Sequence, residues 1–183
     1  MAKEACETCH KYVWKPRADE LNQQGLAKIK EKDFQAAIEV LSQALEFNPD
    51  HIEAYYNRAV AYIQKADYQN AVQDCDRAIG LIHNCSVALF SALLATLKQL
   101  KRFTRRGYHD STSDRSSDLA LASVFLFSKP NYADLHYKRG GCRLKLGDKQ
   151  AAKADWQKAA DLYRKQGQIA KTEKILEYLR KIP

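Results

Sequence analysis

Residues 34–78 read FQAAIEVLSQALEFNPDHIEAYYNRAVAYIQKADYQNAVQDCDRA, and this stretch decides the fold because it repeats itself. A shift of 34 residues carries Asp33 and Phe34 onto Asp67 and Tyr68, Ala37 and Ile38 onto Ala71 and Val72, and Ala44 and Leu45 onto Ala78 and Ile79. Upstream in the same register, Leu21 falls on Tyr55 and Gly25 on Ala59. A fixed period of this size marks a solenoid, in which each unit buries its apolar face only by stacking on the next.

Outward from this core, the apolar spacing predicts helices. Leu21, Leu26 and Ile29 form one face, with Pro16 suited to that helix's first turn. Phe34–Phe47 follows, and Asn48, Pro49 and Asp50 end it, because proline disfavours helix at the residue before it. The spacing then gives Ile52–Gln64 and residues 68–81. Small residues at Gly25, Ala37, Ala44, Ala59, Ala71 and Ala78 allow paired helices to approach closely, with Phe34 and Tyr68 beside them.

These units resemble tetratricopeptide repeats. Gly25, Phe34, Ala37, Ala44 and Pro49 match that pattern in the first unit, Ala59, Tyr62, Tyr68, Ala71 and Ala78 in the second, and Gly140, Gly147, Asp148, Ala152, Trp156 and Ala159 in a late one. The resemblance implies an all-α solenoid of antiparallel helix pairs forming a right-handed superhelix. Its units are expected at about 18–51, 52–85, 86–132 and 133–166, after an N-terminal extension, 1–16. Ile169, Ile175, Leu176 and Leu179 predict an amphipathic C-terminal capping helix within 167–183, with Lys171, Lys174, Arg180 and Lys181 on a solvated face.

Gly25 and Gly140 lie 115 residues apart, which is three periods plus 13. The surplus is assigned to a long mobile loop, 101–117, inside a divergent third unit whose helices are read at 87–100 and 119–128. An imperfect unit there would leave apolar edges open to a second copy, giving a homo-oligomer.

The chain has 183 residues, 28% charged and 45% apolar, with 7 Gly and 4 Pro, the balance of a globular helical protein. No apolar run reaches the roughly 18 residues of a spanning helix, and the first residues lack a signal-peptide core. Five cysteines show no disulfide framework. The expected compartment is the cytoplasm, with the nucleus as the alternative.

Nothing resembles a phosphate loop, a nucleophile motif or a paired catalytic spacing, so no enzymatic activity is expected. Cys6, Cys9 and His10 fit the spacing for attaching a c-type haem, or half of a zinc site. Haem attachment is installed outside the cytoplasm and needs a second axial ligand, so no cofactor and no metal are expected. The basic run Lys101, Arg102, Arg105 and Arg106, with Phe103 and Tyr108 interleaved, offers RNA contacts or a nuclear import signal as an alternative function, although most such runs are solvated loops.

The resemblance implies that first helices line a concave face. Helical spacing places Asn22, Leu26 and Ile29 there from the first unit, and Tyr56, Asn57, Val60 and Ile63 from the second. Phe90 and Leu94 come from the third, and Tyr137, Lys138 and Leu144 from the last. In the chaperone-binding subfamily two lysines, two asparagines and an arginine grip the C-terminal carboxylate of a heat-shock protein. Here Asn57 matches one clamp asparagine, while the other matching places carry Asn22, Leu26, Val87 and Ser91. With no cation among them the clamp is read as absent. The expected function is therefore a non-catalytic scaffold or adaptor that binds a peptide or amphipathic helix of a partner protein, with Tyr56 and Tyr137 as anchors.

Overall fold

The backbone chemistry at the turns fixes the helix pairs. A computed structural model describes residues 15–84 and 132–181, and every regular element among them is helical. The helices are α1 (Lys15–Lys30), α2 (Phe34–Phe47), α3 (Ile52–Gln64), α4 (68–84), α5 (Tyr132–Lys145), α6 (Lys149–Lys165) and α7 (Ile169–Lys181). Each of the three pairs turns in the same way. Lys32, Ala66 and Gly147 adopt left-handed φ values of 64°, 59° and 91°. The following N–H then reaches back to the carbonyl five residues earlier: Asp33 to Lys28 at 3.0 Å, Asp67 to Tyr62 at 2.9 Å and Asp148 to Arg143 at 2.9 Å.

That same aspartate starts the next helix. Asp33 Oδ1 accepts the N–H of Ala36 at 3.1 Å, Asp67 Oδ1 that of Asn70 at 3.3 Å, and Asp148 Oδ1 that of Ala151 at 3.0 Å. One side chain thereby satisfies a donor with no partner inside the helix, worth about 1 kcal/mol. Gly167, at φ 72°, closes α6 with the same bond pattern, Gln168 N–H to Tyr163 O at 2.9 Å.

Within each pair, a small residue on the first helix faces a larger one 16 positions later, and the sizes compensate. A Cβ on Gly25 would sit 2.5 Å from Leu41 Cγ, and one on Gly140 2.6 Å from Trp156 Cδ1. In the middle pair alanine is tolerated, and the facing residue is the smaller Cys75; Ala59 and Cys75 are both fully buried. Trp156 keeps its indole N–H satisfied by donating to Tyr137 O at 3.0 Å.

Between pairs, an arginine on the first helix binds its own second helix and the preceding one. Arg58 donates to both Asp74 oxygens at 2.8 and 2.7 Å and to Ser42 Oγ at 2.9 Å. Arg139 repeats this, donating to Asp155 Oδ2 at 2.9 Å and to Asp76 Oδ1 at 2.5 Å, and Arg143 joins it on Asp155 at 2.9 Å. Burial pushes the Asp155 carboxyl up, but hydrogen bonds from His136 and Arg139 and the charges of Arg139 and Arg143 outweigh it and hold Asp155 below the usual carboxylate range.

This arginine pattern joins the last described pair to the second. Residues 132–165 pack directly on 52–84: Ala59, Cys75, Ala78 and Ile82 share one buried core with Tyr132, Leu135, Trp156 and Tyr163. The divergent unit expected within 86–132 falls almost wholly outside the described residues. Ala59 and Gly140 are 81 residues apart, one period of 34 plus 47, and 47 is the length of 85–131. Dividing 115 residues into three periods plus 13 followed the apolar spacing around Val87 and Leu119, whereas the packing follows the Arg–Asp register. The helices read within 86–129, the loop 101–117 and the N-terminal extension up to residue 14 lie outside the described residues. At the far end α7 buries Thr172 and Ile175 on the last pair, with Leu176 and Leu179 packed against the same core, as a capping helix does.

Candidate functional site

The first helices α1, α3 and α5 lie side by side, which brings side chains from distant parts of the sequence onto one surface. Asn57 Nδ2 donates to Asn22 Oδ1 at 2.9 Å, joining α3 to α1, and both residues are buried. Lys138 Nζ sits 5.6 Å from the centroid of the Tyr56 ring, joining α5 to α3. Leu26, Ile29, Tyr56, Val60, Ile63, Tyr137, Lys138 and Leu144 are half-buried along this row. Their exposed parts form a surface of mixed apolar and aromatic character. Asn22 and Asn57 differ from the expectation, because their amides bind each other rather than facing outward. Phe90 and Leu94, together with Lys101, Arg102, Arg105 and Arg106, lie outside the described residues, as do Cys6, Cys9 and His10.

The direct seating of α5 beside α3 changes which residues occupy the clamp places. In the observed register, Asp134 and Lys138 stand 81 residues after Glu53 and Asn57, where the expected order put Val87 and Ser91. The five places thus hold Asn22, Leu26, Asn57, Asp134 and Lys138, which is one cation and one opposing carboxylate. In that register Lys138 supplies a cation that the expected order did not. The full set of clamp cations is still missing.

Three residues that pattern reading does not single out as a site meet at the end of the row. The Tyr163 hydroxyl donates to Asp134 Oδ1, and Lys171 Nζ lies 3.6 Å from the same carboxylate and 4.9 Å from the Tyr163 ring centroid. With Tyr137, Lys174 and Ile175 these groups line a hollow of about 140 Å³ between α5, α6 and α7. Burial, and then the charge of Asp134, push the Tyr56 hydroxyl up to about 12. Burial together with the Asp134 bond raises Tyr163 as well. Both phenols therefore stay protonated as hydrogen-bond donors at neutral pH. The Tyr163–Asp134 contact spans 29 residues and has no local sequence signature.

Among the described residues, no cluster of His, Cys, Asp and Glu is arranged to hold a metal, and no helix is long and apolar enough to cross a membrane. The buried thiols Cys75 and Cys142 are pushed up by burial to about 12 and about 11, which makes them poor nucleophiles.

Stacked helix pairs, with a row of first helices carrying half-buried aromatics, define a helical repeat protein. Family models described as TPR repeat and tetratricopeptide repeat match residues 25–65, 52–85 and 134–165, together just over half of the 183 residues. The chain belongs to the tetratricopeptide repeat family.

Among curated relatives, it is 40% identical over 55 residues to the Hsp70-Hsp90 organizing protein of Triticum aestivum, covering 30% of this chain and 10% of that protein. It is 43% identical over 65 residues to human serine/threonine-protein phosphatase 5, covering 36% and 13%. The matched regions are thus a small fraction of either relative. Among solved structures, the Arabidopsis OM64 TPR domain superposes with a TM-score of 0.60 at 18% identity, covering 92% of this chain and 98% of that one. The second TPR of Spaghetti (RPAP3), bound to the HSP90 peptide SRMEEVD, gives 0.53 at 20% identity, covering 81% and 94%. These structural likenesses establish the shared fold.

Proposed function

We propose that this chain is a non-catalytic interaction module, a scaffold or adaptor, which holds an extended peptide or amphipathic helix of a partner protein along the row α1, α3 and α5. The observation that carries this reading is the contact of Lys138 with the Tyr56 ring, which makes the first helices of two units a continuous half-buried surface. Support comes from the similarity to the Hsp70-Hsp90 organizing protein and from the second TPR of Spaghetti (RPAP3), which has the same fold and was solved bound to an HSP90 peptide. Binding does not use a complete carboxylate clamp, because Asn22 and Asn57 satisfy each other and Asp134 occupies a cation's place.

Tyr56 and Lys138 are the residues to test, since replacing Asn57 would break a buried hydrogen bond and confound binding with stability. Panning a displayed heptapeptide library on the full chain and on a Tyr56→Ala, Lys138→Ala variant of matched melting temperature tests the reading. Peptides enriched by the wild type are expected to bind the variant at least about tenfold more weakly. Equal binding by both proteins removes the groove from consideration.

A further inference from the structure

We infer that His51 is a proton-operated fastener between the first two helix pairs: on taking up a proton its imidazole ties Asp19 of α1 to Glu53 of α3, so that α1 is held more firmly below neutral pH than above it.

His51 is the N-cap of α3, in the turn after α2, and its side chain is buried between two carboxylates. Nε2 stands 3.0 Å from Asp19 Oδ1 and Nδ1 3.4 Å from Glu53 Oε2, while the imidazole is 6% exposed and the two acids 71% and 61%. The neutral ring uses these surroundings poorly. Nδ1 accepts the Ala54 N–H at 3.3 Å, which leaves it no proton for Glu53, and Nε2 makes no aligned hydrogen bond despite its closeness to Asp19. A second proton changes both sides of the ring. Nδ1–H then donates to Glu53, and the charge of the ring holds Asp19 whatever the angle of approach. What the ring gives up is small, because the Ala54 N–H also reaches the His51 carbonyl at 3.2 Å and keeps that acceptor.

Glu53 from its own helix and Asp19 from α1 are the charges that act on the ring, and both are acidic. Asp50, the preceding residue of the turn, is paired with Arg77 of α4 at 3.8 Å. The hydrogen bond and charge of Glu53, with the charge of Asp19, outweigh burial and hold the imidazole above its ordinary range. A folded value above the unfolded one means that the added stability is fully present below the unfolded value near 6.5 and is lost as pH rises through the folded value. The same seam carries the Asn57–Asn22 bond, about one helical turn further along both helices.

NMR titration of the histidine rings on the full chain reads the proton directly, with the His51 signals assigned by their loss in His51→Asn, which keeps an N-cap acceptor and does not titrate. His51 is expected to titrate above the ordinary value near 6.5, and Asp19→Asn and Glu53→Gln, both at exposed side chains, should each bring it down. Urea unfolding of wild type and His51→Asn from about pH 5.5 to about pH 8.5 reads the fastening. The ratio of their folding constants should fall about two- to fivefold as pH rises, and should stay flat when both proteins also carry Asp19→Asn and Glu53→Gln. A His51 signal that titrates at or below the ordinary value, or a ratio that does not move with pH, overturns the fastener. The wild-type titration decides the matter even if His51→Asn fails to fold, because the two acid variants then assign the signal by displacing it.

Discussion

Gly25 and Gly140 are glycine for a reason of space, since the built Cβ positions collide with Leu41 and Trp156. Gly25→Ala is expected to cost about 1–3 kcal/mol by overpacking. Combining it with Leu41→Cys, which recreates the Ala59 and Cys75 pairing of the middle unit, should cost less than the sum of the single changes. A double-mutant cycle by urea denaturation measures the coupling, and strict additivity would refute size matching. Asp155 carries a second prediction. Its folded-state pKa is depressed, so its ionised form contributes stability that is fully present above the unfolded value near 3.9 and is lost as pH falls through the lower folded value. Asp155→Asn removes the carboxylate charge and one of the two oxygens that accept from Arg139 and Arg143, and should cost about 3–5 kcal/mol at pH 7, much less near pH 2. Melting curves of the two proteins across that interval should converge on acidification.

At the scale of the element, the turns hold a reserve of stability. Ala66 sits at φ 59° where Gly147 serves the last pair, a backbone state that costs a residue with a Cβ about 1 kcal/mol or more. Ala66→Gly is therefore expected to raise the melting temperature by a few degrees despite the added freedom of the unfolded chain, whereas Asp67→Ala should lower it by removing the cap. Calorimetry of the two variants separates these effects. Elements of this kind were legible in the sequence: Phe34–Phe47 and Ile52–Gln64 form with the bounds that their spacing predicts, because period, cap and proline agree locally. The helix 68–84 runs past the predicted residue 81, where no strong stop signal acts, and α1 begins at Lys15, which puts Pro16 in its first turn as the spacing predicts. The hollow was not legible, because Asp134, Tyr163 and Lys174 come from three helices and none belongs to a motif.

For the whole molecule, the family and the all-α stack could be read from periodicity, but the neighbour relation could not. Apolar spacing is blind to which unit touches which, and the answer lay in the matching steps Arg58–Asp74 and Arg139–Asp155, each 16 residues long. The corresponding prediction concerns the 47 residues of 85–131. A chain in which a short polar linker replaces them brings Gly140 to 34 residues plus the linker's length from Ala59 and should retain helicity, a cooperative melt and the Arg139–Asp76 coupling. A shortened protein that is molten or aggregated would show that those residues are needed to seat α5.

The bond from Arg139 back to Asp76 spans 63 residues, whereas its counterpart from Arg58 to Ser42 spans 16. Fourfold more chain to close costs about 1.2 kcal/mol of entropy before any contact compensates it. The junction that completes the domain is thus also its slowest to form: the first two pairs assemble from nearby residues, and the last pair with its cap docks afterwards onto a surface already made. On a ribosome that order becomes a waiting time, because the contacts of Tyr132, Leu135 and Trp156 with the core around Ala59 and Cys75 form only once those residues have emerged.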